Sequence, residues 1–224
     1  MNSIKAGFFV TGTDTGVGKT LVSSLILHAL STRGKKVVGM KPIAAGKENG
    51  KWLDVELLQT AGNVRVAYEL MCPYALDQAV APHIAASQEG VEIDLATINS
   101  AFQVLKKAAD YVVVEGVGGF LVPVNSYQDT SNMAQSLDLP VILVVGMRLG
   151  CINHALLTVQ AVLRTGLPLL GWIANCIDPE MQVLEENIMA LQHRIDRPLL
   201  GTVPYNSPPD LRVLSHFVDL SEVI

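Results

Sequence analysis

The stretch Gly12-Thr-Asp-Thr-Gly-Val-Gly-Lys-Thr20 limits what this chain can fold into more than any other part of it. An apolar run over residues 7–11 leads into it, and a helical pattern begins directly after it at Leu21. A strand that turns through glycines into a helix N-terminus is a phosphate cradle. Free backbone N–H groups and the positive end of the helix dipole converge where such a loop closes. In that arrangement Lys19 reaches the outer phosphates of a nucleotide, and the Thr20 hydroxyl holds Mg²⁺. The spacing departs from the usual one in one respect: the glycine expected at position 13 is Thr13, and Gly12 stands one place earlier.

Strand and helix patterns alternate beyond the loop. Leu21, Leu25, Ala29 and Leu30 recur at helical spacing, and Arg33-Gly34 supplies a stop. Residues 36–41 have the pattern of a buried strand, ended by Pro42, whose ring cannot donate to a ladder. A short helix is expected to start near Asp54, with Val55, Leu58 and Ala61 on one face. Residues 71–82 hold two prolines and carry no regular pattern. Asp94 is placed to cap a helix through Leu95, Ile98, Phe102, Leu105 and Ala109. The runs 111–115 and 141–145 are continuously apolar until the closing Glu115, as in parallel strands covered on both faces. Further expectations are a helix opening at 149–153, a strand over 169–175, a helix through Met181, Leu184, Ile188 and Leu191, and a strand over 199–203. The expected fold is α/β and P-loop NTPase-like, a mostly parallel central sheet with helices on both faces, in one domain over the whole chain. Ligands of such sheets lie beyond the carboxyl ends of the strands. That rule selects Thr11 onward, Lys41, Glu115, Gly146 onward, Asn175 and Pro204.

Composition narrows the functional classes. Half of the 224 residues are apolar and 17% are charged, which suits a packed core rather than a disordered chain. A net charge of −5 without any basic run argues against a nucleic-acid partner. No window resembles a membrane span, and the N-terminal residues lack the apolar centre of a signal peptide. Cys72, Cys151 and Cys176 are widely separated and odd in number, as in a reducing compartment. The expectation is a cytoplasmic protein.

A bound triphosphate concentrates negative charge that cations and Mg²⁺ must meet. Glu115 closes its apolar strand where an acid near the metal is expected, and Asp54 is a second candidate. The plainer alternatives are a solvated strand-end acid for Glu115 and a helix N-cap for Asp54. Lys41, just before Pro42, suits neutralisation of a transferred phosphoryl group or an anionic acceptor, with a sheet-edge lysine as its alternative. Cys151 and His154 stand three apart on a helix, a conceivable nucleophile pair or half a metal site, but no matching second pair exists. More useful is the helix start itself, where Gly150, Cys151, Ile152 and Asn153 offer free N–H groups to a carboxylate.

Five blocks now stand in order: the loop from Thr11 to Thr20, Lys41-Pro-Ile-Ala-Ala-Gly46, Val114-Glu-Gly-Val-Gly-Gly119, Leu149-Gly-Cys-Ile-Asn-His154 and Trp172-Ile-Ala-Asn175. Together they resemble the dethiobiotin synthetases. The resemblance implies ATP- and Mg-dependent carboxylation of 7,8-diaminopelargonate by CO₂. ATP phosphorylates the carbamate, and the second amine closes a cyclic urea with loss of phosphate. It implies that Lys19 and Lys41 act on the phosphoryl and carbamate oxygens, and that Thr20, Asp54 and Glu115 hold the metal. Gly16, Val17, Gly18 and Leu21 would join Lys19 and Thr20 around the phosphates, with Gly116, Val117 and Gly118 beside them. Asn175, Cys176, Pro204, Tyr205 and Asn206 would surround the adenine. Thr15 and Lys41 would meet the diamine, whose carboxylate tail would reach Gly150, Cys151, Ile152 and Asn153 of a partner subunit in a homodimer. Two positions depart from the family pattern: Ala45 stands where a hydroxyl residue is common, and Gly16 where a glutamate is frequent.

Rival classes fit less well. The amide-forming cobyrinate synthetases need a glutamine-cleaving domain for which 224 residues leave no room. Partition-type switch ATPases, which act by partner binding, carry a lysine where this chain has Asp14. A non-catalytic nucleotide-binding scaffold would follow if Ala45 and Gly16 marked lost activity, but Lys19, Thr20 and Glu115 are all kept.

Overall fold

Phe8 and Phe9 are adjacent and both fully buried, yet they enter different cores. They lie on the first strand of a computed structural model that describes residues 7–221. Residues 1–6, on which the signal-peptide expectation rests, are outside the described residues. Successive side chains of a strand point to opposite faces. A strand apolar at every position therefore needs a layer of helices on each side.

The chain runs β1 (Gly7–Gly12), α1 (Lys19–Thr32), β2 (Val37–Met40), β3 (Ile43–Ala45), α2 (Leu53–Ala61), α3 (Tyr68–Met71), β4 (Tyr74–Leu76), α4 (Pro82–Gln88), α5 (Leu95–Ala108), β5 (Tyr111–Glu115), α6 (Thr130–Leu137), β6 (Val141–Met147), α7 (Cys151–Arg164), β7 (Leu169–Cys176), α8 (Leu184–Gln192), β8 (Leu199–Val203) and α9 (Leu211–Leu214). Six strands form one sheet in the order β2-β5-β1-β6-β7-β8, with every neighbouring pair parallel. Phe8, Val10, Val113 and Val144 pack with α1 and α2 on one face, and Phe9, Val112, Val114 and Val145 with α5 to α8 on the other. The loop after β1 lies where the sheet order switches direction, the crevice in which open parallel sheets take ligands.

Several expectations shift. Helix α1 begins at Lys19 rather than Leu21, because Gly18 adopts a left-handed φ of 86° as its N-cap and brings Lys19 and Thr20 into the first turn. Asp54 is not a cap: α2 starts at Leu53 after an extended Trp52, and no side chain caps it. The segment 71–82 is more ordered than its pattern suggests. Within it β4 pairs in parallel with β3, so that Ile43 lies against Tyr74, and Pro82 opens α4. Helix α6 adds to the expected elements, and Asp129 and Asn132 build its capping box. Helix α8 begins at Leu184, past Met181, since Val183 takes a left-handed φ of 51°. Asp94 does cap α5, accepting from the N–H of Ala96.

The edge strand β8 is covered. The N–H of Asp219 donates to Leu200 O at 2.7 Å, and the carbonyl of Phe217 comes so close to Gly201 that a Cβ there would lie 1.9 Å from it. Gly39 on β2 plays a similar part nearer the ligand crevice, where an added Cβ would sit 2.8 Å from Leu58 Cβ and 3.1 Å from Leu27 Cδ1. The absent side chain at Gly39 lets α2 rest on the sheet. We expect Gly39→Ala to lower unfolding free energy by about 1–3 kcal/mol in urea denaturation, the usual penalty for overpacking a core. An unchanged midpoint would show that α2 can move away freely.

Candidate active site

The loop between β1 and α1 is held from beneath. The side-chain amide of Asn175, at the end of β7, donates to Val17 O at 2.9 Å, and Asn175 is buried. A Cβ on Gly18 would meet that amide nitrogen at 2.0 Å, so approach and φ both require glycine there. On the other side, Thr13 N–H donates to Val144 O, tying the loop to β6. Gly16 takes a φ of 73° with open space around it.

The loop forms one wall of a cleft of about 680 Å³. Thr15, Gly16, Gly18, Lys19 and Thr20 line that wall, and Lys41, Asp54 and Glu115 lie at its base. The facing side is mostly apolar, built from Ala45, Ala79, Val80, Ala81, Pro82, Val117, Gly118 and Val122.

Sheet register explains the charged base. Met40 on β2 pairs with Val114 on β5, so Lys41 and Glu115 leave neighbouring strand ends side by side. Both are buried, and Lys41 Nζ lies 2.5 Å from Glu115 Oε1 and 2.8 Å from Asp54 Oδ2. Lys41 does follow the edge strand β2, but its burial and two ion pairs overturn a merely solvated edge lysine, and burial overturns the solvated-acid alternative for Glu115. Thr20 Oγ1 lies 2.8 Å from Glu115 Oε1 and 2.9 Å from Asp54 Oδ1, and its single proton satisfies one carboxylate at a time. Glu115 Oε2 is buried without a hydrogen-bond partner among the described residues. A hydroxyl flanked by two carboxylates, one with an uncommitted oxygen, fits a hard divalent cation that keeps several waters. No group of three or more His, Cys, Asp or Glu among the described residues forms a cage of its own, and the Cys151–His154 pair gains no further ligand.

Electrostatics separate the two lysines. Burial pulls Lys41 down, but Glu115 and Asp54 outweigh it and hold the ammonium above its ordinary pKa. Burial and the neighbouring Lys41 bring Lys19 down to about 8, against the pull of Glu115, Asp54 and Asp14. Burial raises Asp54, yet Lys41 and the Thr20 hydroxyl prevail and keep its carboxyl below the usual range. Lys19 Nζ donates to Asp14 O at 2.9 Å.

The other expected residues spread along the carboxyl edge of the sheet. Gly116 accepts a long contact from Lys41 Nζ at 3.4 Å, and Val117 and Gly118 face the cleft. Val17 is buried, while Leu21 packs on the α1 side of the core. Cys176 is buried beside Asn175, and burial together with the Glu185 charge raises its thiol pKa. Pro204 follows β8, and Tyr205 and Asn206 beyond it are exposed. Gly150 is the left-handed N-cap of α7, Cys151 is buried, Ile152 is half-buried and Asn153 is exposed; none of the four lines the cleft. The wall at 79–82 and Val122 lie outside the residues expected from the sequence. The signal available was Pro82 at a helix start, with small apolar residues just before it.

Residues 6–210 match the family described as an AAA domain. The chain is 58% identical over 217 residues to the ATP-dependent dethiobiotin synthetase BioD of Nitrosospira multiformis, with 97% of this chain and 96% of the relative covered. It is 54% identical over 207 residues to ATP-dependent dethiobiotin synthetase BioD of Aromatoleum aromaticum, covering 91% and 92%. Among solved structures, septum site-determining protein MinD of Pyrococcus horikoshii complexed with Mg-ADP aligns with a TM-score of 0.55 at 18% identity, covering 92% of this chain and 83% of that one. That likeness is one of fold. No described helix is long and apolar enough to cross a membrane. With near-complete coverage at such identity, the chain belongs to the ATP-dependent dethiobiotin synthetase family.

Proposed function

We propose that this chain carboxylates and cyclises 7,8-diaminopelargonate with CO₂ and ATP, giving dethiobiotin, ADP and phosphate. The observation that carries the reading is the buried Lys41 between Glu115 and Asp54, beside a phosphate loop and facing an apolar wall. Phosphorylating a carbamate brings one anion up to another, so positioned cations lower the barrier most. Lys19 binds the outer phosphates, and Lys41 meets the carbamate and the phosphoryl oxygens. The apolar wall takes the hydrocarbon part of the diamine and excludes water from the mixed anhydride. Partition-type switching, the alternative, has distant fold likeness alone behind it.

Mg²⁺ would be held by Thr20, Asp54 and Glu115, and the uncommitted Oε2 of Glu115 supports that assignment. When bound it supplies positive charge to the transferring phosphoryl group. We further assign Gly16, Val17, Gly18, Leu21, Gly116, Val117 and Gly118 to the surroundings of the phosphates, and Asn175, Cys176, Pro204, Tyr205 and Asn206 to those of the adenine. With its amide N–H₂ donating to Val17, the Asn175 Oδ1 is the group left to accept from the base. Gly150, Cys151, Ile152 and Asn153 lie off the cleft of their own chain, which suits a substrate tail arriving from a second copy in a homodimer. The chain acts as a single domain in the cytoplasm.

Purified protein supplied with Mg-ATP, bicarbonate and 7,8-diaminopelargonate should release dethiobiotin and phosphate in equal amounts. ATP turnover indifferent to the diamine would sink the reading. Lys41→Gln should lower kcat by about 10²–10³-fold while ATP affinity changes by less than about threefold; equal losses in both would remove Lys41 from the chemistry. The pH profile follows from Lys19. As a base whose pKa is lowered to about 8, it is charged below that pH and neutral above it. The free-enzyme parameter kcat/KM for ATP should therefore decline as pH rises through about 8. A profile flat to pH 10 would mean that the ammonium persists.

A further inference from the structure

The phosphate loop carries a carboxylate of its own. Asp14 is fixed inside the loop by two contacts. Its Oδ1 accepts the N–H of Thr15 at 2.7 Å, and its backbone carbonyl accepts Lys19 Nζ at 2.9 Å. It thus belongs to the same short stretch that presents N–H groups and the lysine to the cleft. Asp14 does not itself line the cleft, but a bare negative charge in so short a loop opposes a triphosphate through space.

Arg148 meets that charge. It follows the last residue of β6, the strand next to β1, and its Nη2 lies 2.5 Å from Asp14 Oδ2. Among the described residues it is the cation that ion-pairs with Asp14, since Lys19 turns to the carbonyl instead. Both side chains are close to half exposed, at 42% and 47%. A pair that open contributes little as a strap holding the fold together. Its weight lies in where the negative charge sits.

We propose that Arg148 is a positioning residue for nucleotide binding, which neutralises Asp14 so that the triphosphate meets only N–H groups and cations on the loop. The inference rests on reading this loop as the ATP site. Arg148 acts through Asp14, so its removal does harm only while Asp14 stays charged.

The test is equilibrium binding of ATP and ADP with Mg²⁺, without the diamine, followed by titration calorimetry on five proteins: the unsubstituted chain, Arg148→Ala, Arg148→Lys, Asp14→Asn and the Arg148→Ala/Asp14→Asn double variant. Arg148→Ala should weaken ATP roughly tenfold, the effect of one partly screened carboxylate on a multiply charged triphosphate, and ADP less. Arg148→Lys should keep most of the affinity. Asp14→Asn alone should not weaken ATP, and the double variant should return close to the unsubstituted value. If Asp14→Asn loses as much as Arg148→Ala and the double variant recovers nothing, the pair is only a strap and the proposal falls. An Arg148→Ala protein with unchanged ATP affinity also overturns it. Binding is read without the synthetase reaction. A chain that behaves as expected here but makes no dethiobiotin would therefore contradict the proposed activity and leave the role of Arg148 standing, whereas no ATP binding at all overturns both.

Discussion

A lysine ammonium taken out of water has to be met by negative charge, and Lys41 is met twice. Glu115 comes from β5 and Asp54 from α2, while Lys41 directly follows β2 and the Thr20 hydroxyl enters from α1. This charge cluster, buried at Lys41 and Glu115, thus fixes where two strands end and two helices begin relative to one another. Leaving the buried Lys41 or Glu115 unpaired costs several kcal/mol, so the ends of β2 and β5 cannot drift independently. Local details follow from it. Pro42 stops β2 at the point where the lysine must turn inward, and Gly39 lets α2 lie low enough for Asp54 to reach.

The cleft above the cluster has two characters. Its loop side is polar and rich in N–H groups, and its far side is small and apolar. The two departures from the family pattern fall on different sides. Ala45 belongs to the apolar side, where loss of a hydroxyl extends an existing surface. Gly16 sits at the loop tip with nothing near its missing side chain, so the change there is one of charge and backbone freedom rather than packing.

Much of this was legible in the residues because full burial on both faces leaves a continuous apolar run. The runs 111–115 and 199–203 are strands with the expected bounds, Glu115 ends its strand, and Lys41 stands one residue past β2, which is shorter at both ends than the expected 36–41. Asp54 was ambiguous for a physical reason: an acid at a helix start has the same spacing whether it caps the backbone or faces a cation across the cleft. The β3–β4 pair escaped notice because strands of three residues are too short to show a period. Arg148 and Asp14 are 134 residues apart and carry no local signature; only the adjacency of β1 and β6 brings them together. The activity was legible through the family resemblance, whereas physics alone reached only a triphosphate site.

The position of β1 has a consequence for how the protein comes into being. Its partners are β5 and β6, so that Phe8 pairs with Val113 and Phe9 with Val141, each separated by more than roughly a hundred residues. During synthesis the phosphate loop is therefore made well before the two strands that give it its shape. Until β5 and β6 emerge, a strand apolar on both faces has no sheet to join, and it is exposed to association with other chains in the interval. The feature that makes the loop rigid in the finished molecule, a central strand between two late neighbours, makes it the part most dependent on the chain being completed.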